Sequence, residues 1–569
     1  MNNQRQHEKS EEVSHFFTFL RDEFDTKNCM EILNTLWEND RWFDFKAFEK
    51  TAHYCADVMK KIGLAEVEML PLKADGETIY GDWHMPQAWD ANAATLTFAD
   101  GWVLADYLQV PTSLVMYSAP TPPGGVRAQV VDADNISDGA DLKGKIFLTS
   151  RCANEVVPLA QKAGAIGIIS DLIPLYENVR ENPMDLQGHS RWENTFCAPK
   201  NETGLFAFNL SPENGKLLRE KMQDGDVILH ASVDTKFYDG VNYVVSGAIL
   251  GETDEEVLAY GHLYEPGAMD NASGCAVLLA FADCINRCIA EGKLPKPKRT
   301  LRFAMGWECV GSTAWLLADP QRQRSTIAGL VADMVGTEAI DNTFLRIWHN
   351  PMANYGFTDA LIEELLPAHR KYLGDNYPAE HVEFRPGTDN IIADPYWEIP
   401  TIAFVSEPAL SYHSSMDTPD RIDPAILTRC AVLIGTFMWE LTQITCEEKE
   451  RLDKLALDNL CETNQKLFQL VGNPDQLKTE KIPKRLIPGC LTGAAKPDAD
   501  YSKWSLIWST VLHLPLFWAD GKRDLEQIIQ LAAAELGRTD IGAYRAEMME
   551  YFNFLAENGY VVFEKRRQQ

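Results

Sequence analysis

The sequence predicts an α/β protein built on a mixed, mostly parallel, doubly wound sheet, with helices at its start and a helix–helix–strand unit at its end. Three observations carry this. Between about residues 240 and 445, apolar β-branched runs alternate with helical periodicity, the pattern of a largely parallel sheet covered on both faces. Between about 125 and 235 a shorter strand–helix–strand pattern recurs. The chain has 569 residues, 45% hydrophobic and 24% charged, an ordinary globular composition with room for about three or four domains.

Taken in order, "HFFTFLRDEF" and "FEKTAHYCADVMKKIGL" carry apolar residues at helical spacing, and the second stops at Gly63. "DGETIYGDWHMPQAWDANAATLTFADG" alternates and is rich in turns, which predicts short antiparallel strands. "VRAQVVDA", "GKIFLTS" and "AIGIISD" are strands, and the helix "NEVVPLAQKAGA" between the last two ends at Gly164. Ser211 and Pro212 open the next helix as N-cap and first residue. The third region runs "EVLAYGH" (strand), "NASGCAVLLAFADCINRCIA" (helix), "TLRFAMGWE" (strand), "STAWLLAD" (helix) and "IAGLVADMVG" (strand). It closes with the strand "IPTIAFVSE" and the helix "DPAILTRCAVLIGTFMWELTQ". The end, two helices and an apolar strand after Gly559, has a winged-helix pattern.

The net charge is −30 and the isoelectric point about 4.8. Residues 500–569 hold eight Lys/Arg against ten Asp/Glu. Phosphate binding needs a basic face, so nucleic acid is not an expected partner. The winged helix is expected to pack on the rest of the chain or to form a homo-oligomer. No run reaches the roughly 18 apolar residues of a membrane helix, so no membrane partner is expected. The opening "MNNQRQHEKSEEVSHFF" has no apolar signal core. Twelve Cys form no CxxC pair; reduced thiols in a cytoplasmic protein are expected.

Ligands of open α/β sheets bind beyond the carboxyl ends of the strands. At those ends stand His262, with Asp270 eight residues on, then Glu308 and Cys309, Asp333, and His413. Imidazole and carboxylate suit zinc or another first-row divalent ion, one or two of them. Asp270, central and at a helix start, is the candidate bridge. Asp333 interrupts an apolar strand, where a carboxylate is costly unless paired or metal-bound. Asn271, Ala272, Ser273 and Gly274 are small enough to let the helix approach the sheet.

"GHLYEPGAMDNASGCAVLLAFA", "WECVGSTAWL", "ADMVG" and "YHSSMDTPDRID" resemble the metal motifs of M28-type zinc aminopeptidases, in order and spacing, over about 240–445. "DLKGKIFLTS…LAQKAGAIGIISD" resembles the protease-associated (PA) domain often inserted before that catalytic domain. The ends of the chain resemble a bacterial subgroup with an N-terminal cap and a terminal winged helix. The resemblance implies a zinc exopeptidase-like sheet with a PA insert. The division expected is 1–120 helical and small β cap, 121–238 PA-like, 239–447 catalytic, 448–482 helical linker and 483–569 winged-helix-like. It also implies that His262, Asp270 and Asp333 hold one ion, with Asp270 bridging to a second at His413.

Two positions depart from the family. Its adjacent Glu pair, base then ligand, is here Glu308-Cys309. Either Cys309 ligates as thiolate, or Glu308 is itself the ligand, or one ion suffices. The Asp expected two residues after the first His is here Tyr264, beside Glu265, which could orient His262 instead. Asp389 is a candidate support or amine contact, and Tyr412 a candidate oxyanion donor. His189, Arg191 and Trp192, within 187–201, would suit a lid. The implied activity is cleavage of a peptide or small amide with a free amine, Glu308 acting as general base. The alternatives are a single-zinc, glutaminyl-cyclase-like aminoacyl transfer and a non-catalytic binding protein.

Overall fold

The computed structural model describes residue 13 and residues 15–136, 141–176, 179–192, 200, 204–337, 343–373, 377–471, 479 and 481–564. The chain begins with helix α1 (15–23), α2 (Thr26–Asp40) and α3 (Phe45–Lys61). Asp25 and Asp44 cap α2 and α3, each accepting a backbone N–H of the first turn. Gly63, at φ 82°, turns the chain into strand β1 (Ala65–Ala74). A hairpin, β2 (Ile79–Tyr80) and β3 (Trp83–His84), precedes β4 (Ala88–Phe98) and β5 (Val103–Asp106).

A seven-stranded sheet follows, with β6 (Val126–Asp132), β7 (Ile146–Thr149), helix α4 (Ala153–Ala163), β8 (Gly167–Ser170), β9 (Phe206–Asn209), α5 (Pro212–Gln223) and β10 (Ile228–Tyr238). Its order is β5-β4-β10-β6-β7-β8-β9. Gly164 ends α4 in the left-handed region, and Ser211 caps α5.

The second sheet is larger. β11 (Gly240–Ile249), β12 (Glu256–Leu263), helix α6 (Ala272–Ala290), β13 (Thr300–Trp307), α7 (Val310–Ala318), α8 (Pro320–Ser325) and β14 (Thr326–Asp333) come first. β15 (Phe344–Trp348), α9 (Phe357–Leu373), β16 (Ala379–Val382), β17 (Thr401–Glu407) and α10 (Pro424–Gln443) complete it. The order is β1-β11-β13-β12-β14-β17-β15-β16, parallel through β13-β12-β14-β17 and between β15 and β16, antiparallel elsewhere. The fold is mixed α/β, as expected.

The expected boundary at residue 120 needs correction. β1 joins the large sheet against β11, while β4 and β5 join the seven-stranded sheet, so both sheets draw on the first 120 residues. Pairing over more than 100 residues leaves no local sequence signal. The expectation that no run could span a bilayer is also corrected. Both α6 and α10 qualify by length and composition, yet each is 78% buried inside the protein. They pack on each other and on the sheet, which explains apolar residues on nearly every face.

After α11 (Cys446–Val471) come β18 (Ile482–Arg485), α12 (Thr510–Phe517), α13 (Leu525–Glu535), α14 (Ile541–Glu557) and β19 (Val561–Glu564). β18 and β19 pair antiparallel beside the helices. This unit is tied to the large-sheet region by Arg485, whose guanidinium grips Asp394 through both carboxylate oxygens at 2.7 and 2.5 Å. Asp82, in the turn between β2 and β3, accepts the N–H groups of Thr492, Gly493 and Ala495.

Candidate metal centre

The loop after β12 is held from below by two carboxylates. Asp417 accepts the N–H groups of Met269 (2.8 Å) and Asp270 (3.1 Å). Gly267 leaves room for it: a Cβ there would lie 2.2 Å from an Asp417 oxygen. Asp40, from α2, accepts the N–H of Tyr264 at 3.0 Å, where the backbone has φ 75°. Burial pushes both carboxyls up to about 7.

The Asn-Ala-Ser-Gly run then fastens this loop to the end of β14. Asn271 caps α6 through Gly274 N–H, also accepts Met334 N–H at 3.1 Å, and donates to the Ala332 carbonyl at 2.9 Å. Ser273 accepts Val335 N–H at 2.9 Å. Only glycine fits at 274, since a Cβ would lie 2.2 Å from the Ala332 oxygen. Asp270 and Asp333 are thereby brought side by side.

His262 Nε2 lies 3.4 Å from one Asp270 oxygen and 3.3 Å from Asp333 Oδ1. The other Asp270 oxygen lies 3.1 Å from His413 Nε2. Glu265 Oε2 stands 3.8 Å from His262 Nδ1. One potential ligand atom each from His262, Glu265 and Asp270 fall within 4.8 Å of one another. Glu308 lines the same cavity, whose volume is about 720 Å³.

Four carboxylates thus meet two imidazoles in a buried place. Burial alone would lower His262, but Glu265 and Asp333 raise it well above its ordinary value. Burial raises Asp270 too, yet His413 and His262 hold its carboxyl below the usual range. Burial takes Glu308 up to about 8, and burial with the neighbouring Asp270 raises Glu265 well above the carboxylate range. The field is negative and the donors are imidazole and carboxylate, which fits a divalent cation of the zinc type.

The remaining expected residues divide. Cys309 does not line the cavity. It sits at φ 58° and turns into an apolar cluster with Phe384, Ile391, Cys490, Leu514 and Phe517. This placement, away from the cavity lining, does not favour the thiolate-ligand reading. Asp389 is fully buried beneath the site, accepting Cys309 N–H (2.8 Å) and Ser312 Oγ–H (2.5 Å). It steadies the turn that presents Glu308, and the amine-contact reading is corrected. Tyr412 stacks on His413 with centroids 3.6 Å apart and lines the cavity.

Of the stretch 187–201, the described part lies against the His413 loop. Ser190 carbonyl accepts Ser415 N–H, Trp192 N–H donates to the His413 carbonyl, and the Trp192 ring packs 4.5 Å from the imidazole. His189 Nδ1 meets Ser415 Oγ at 3.3 Å, while Arg191 turns to Cys152. Residues 193–199 and 201 lie outside the described residues.

Sequence reasoning missed Asp40 as a support, and it quoted Asp417 without a role. It also missed three cavity residues, Arg346, Arg385 and Trp508. Arg346 alternates along β15 like any charge on one face of a strand, and Trp508 comes from the C-terminal unit, so neither carried a local signal.

A cluster of imidazoles and carboxylates at the carboxyl ends of a mixed α/β sheet is the arrangement of a metallopeptidase-like hydrolase. Residues 219–438 match the model of peptidase family M28. No curated protein matches the chain. Among solved structures, a candidate peptidase from Clostridium acetobutylicum is similar over 98% of this chain and 100% of its own, at 15% identity and TM-score 0.53. The zinc aminopeptidase BSAP from Bacillus subtilis is similar over 74% of this chain and 96% of its own, at 18% identity and TM-score 0.52. A peptidase M28 precursor from Shewanella amazonensis covers 77% and 98%, at 16% identity and TM-score 0.53. These likenesses establish the fold.

Proposed function

We propose that this peptidase is a zinc-dependent aminopeptidase acting on short peptides or amides with a free amine. The observation that supports it most is Asp270, whose two oxygens face His262 and His413 while Asp333 stands 3.3 Å from the same His262 nitrogen. His262, Asp270 and Asp333 would hold one ion, with Glu265 in reach and His413 available to a second. A bound divalent ion supplies Lewis-acid polarisation of the scissile carbonyl and acidifies water.

Glu308 takes the proton of the attacking water and returns it to the departing amine. Burial raises its carboxyl, and a divalent ion beside it would favour the ionised form that a general base needs. Asp389 keeps the Glu308 turn in place through Cys309 N–H. Tyr412 and Trp192 both pack against the His413 ring and limit its movement. The acidic cluster attracts the substrate amine.

One observation favours a single-ion centre, and with it the glutaminyl-cyclase-like alternative. With Cys309 turned into the apolar cluster, the His413 side has fewer donors. The test is metal analysis of the purified chain with assays on aminoacyl and peptide amides before and after chelation. Hydrolysis that is lost with the metal and restored by zinc is expected. Hydrolysis that survives metal removal would overturn the reading, and ring closure of a glutaminyl peptide would favour the alternative.

A further inference from the structure

The same cavity has a second wall of opposite charge. Asp333 on β14 pairs with Val405 on β17, and Val405 pairs with Arg346 on β15. Laterally paired residues share a face of the sheet, and all three line the cavity. At roughly 4.8 Å between strands, the Arg346 backbone lies about 10 Å from that of Asp333. Arg385 joins it from the loop after β16, its guanidinium 4.4 Å from the Trp348 ring centroid.

One carboxylate serves both arginines. Glu407 meets Arg346 Nη1 at 3.3 Å, contacts Arg385 Nη2, and also accepts Trp348 Nε1–H at 3.2 Å. Within this cavity two cations stand against one anion on this wall, while Glu363 and Glu383 line a neighbouring cavity with the same arginines. Arg346 Nε is buried with no hydrogen-bond partner among the described residues. In a chain of net charge −30, such a wall facing an acidic cluster selects ligands with charge at both ends.

We propose that Arg346 and Arg385 form a subsite for a substrate carboxylate, so that the preferred substrate carries an anionic group within about two residues of the scissile amide. This rests on the hydrolase reading above. A guanidinium pairs a carboxylate through two parallel N–H groups, which a neutral amide cannot match. An extended chain spans about 3.5 Å per residue, so two to three residues bridge the two walls, and a cavity of about 720 Å³ holds them. The carboxylate is either the terminus of a di- or tripeptide or an acidic side chain.

The test uses the full-length, metal-loaded chain and three substrate arms: alanyl dipeptides with free carboxyl termini, the same dipeptides as C-terminal amides, and amides carrying Asp or Glu after the scissile bond. One of the two anionic arms is expected to exceed the neutral amide at least tenfold in kcat/KM, and which arm does so identifies the source. That ratio is expected to fall about 10- to 100-fold in Arg346→Gln and in Arg385→Gln, the loss of a charge-assisted pair. Calorimetric binding of dipeptide acid against dipeptide amide gives a readout that does not need turnover. Arg385, on a loop and half exposed, supplies the variant least able to disturb folding. Equal kcat/KM and equal binding for acid and amide, unchanged in both variants, would overturn the subsite. Selective binding without hydrolysis in any arm would instead remove the hydrolase reading and leave the subsite standing.

Discussion

The molecule buries carboxylates in two contrasting ways. Asp394 is fully buried, yet it is matched: Arg485 grips both its oxygens, Gly489 N–H donates at 2.6 Å, and Tyr396 N–H at 3.0 Å. Around Asp270, four carboxylates share two imidazoles. The first assembly is electrically closed and joins the C-terminal unit to the rest of the chain. The second carries surplus negative charge that burial makes costly. Asp270 itself is matched by His262 and His413, whereas burial and neighbouring carboxylates raise Glu265 and Glu308 beside it.

The contrast breaks most sharply at Asp270. Asp270→Asn keeps the shape and removes the charge that faces both imidazoles. Peptidase activity is expected to fall at least about 10³-fold, the scale of losing a main electrostatic stabiliser, with loss of bound metal on elemental analysis. The chain should remain folded by circular dichroism, since less like charge is buried. The opposite result is expected at the closed assembly. Arg485→Met strands Asp394 in the interior and should cost about 3–5 kcal/mol in denaturant unfolding, the range for breaking a buried pair. Metal content should persist wherever the chain stays folded.

Trp508 tests whether the closed assembly serves the open one. It reaches the cavity from the C-terminal unit, with its ring 5.8 Å from Trp83. Trp508→Ala is expected to raise KM about three- to tenfold, the scale of one lost aromatic contact, with metal content unchanged. A KM equal to that of the parent would confine the C-terminal unit to a structural role.

His381 is an intermediate case, a buried imidazole between Asp359 (3.5 Å) and Glu363 (3.2 Å). Burial alone would lower it, but the two carboxylates raise it to about 9, above an unfolded value of about 6.5. Its stabilisation is therefore complete below about pH 6.5 and is lost as pH rises through 9. His381→Gln should flatten the melting temperature across that window, removing at most about 3 kcal/mol. A melting profile unchanged in shape would contradict the paired imidazolium.

Much of this was legible in sequence because parallel strands announce themselves and ligands gather at their ends. His262, Asp270, Glu308, Asp333 and His413 each follow or close an apolar run, so topology alone brought them together. The direction of Cys309 was not legible. Its side chain is turned from the cavity by a backbone at φ 58°, and adjacency to Glu308 gives no hint of that. Asp40 and Arg346 act across 224 residues and across two strands respectively, and such convergence leaves no local pattern. The membrane-length helices show the converse. Burial of most of each helix between sheet and neighbouring helices produces the same apolar composition that a bilayer would.

The most direct test of the surplus-charge account is calorimetric zinc titration of metal-stripped protein, run beside Asp270→Asn and Arg485→Met. The account predicts binding of at least one ion per chain, abolished or weakened more than about 100-fold by Asp270→Asn, the scale of losing a charged ligand, and retained by folded Arg485→Met. Equal zinc binding in the parent chain and in Asp270→Asn, or none in the parent chain, would contradict it.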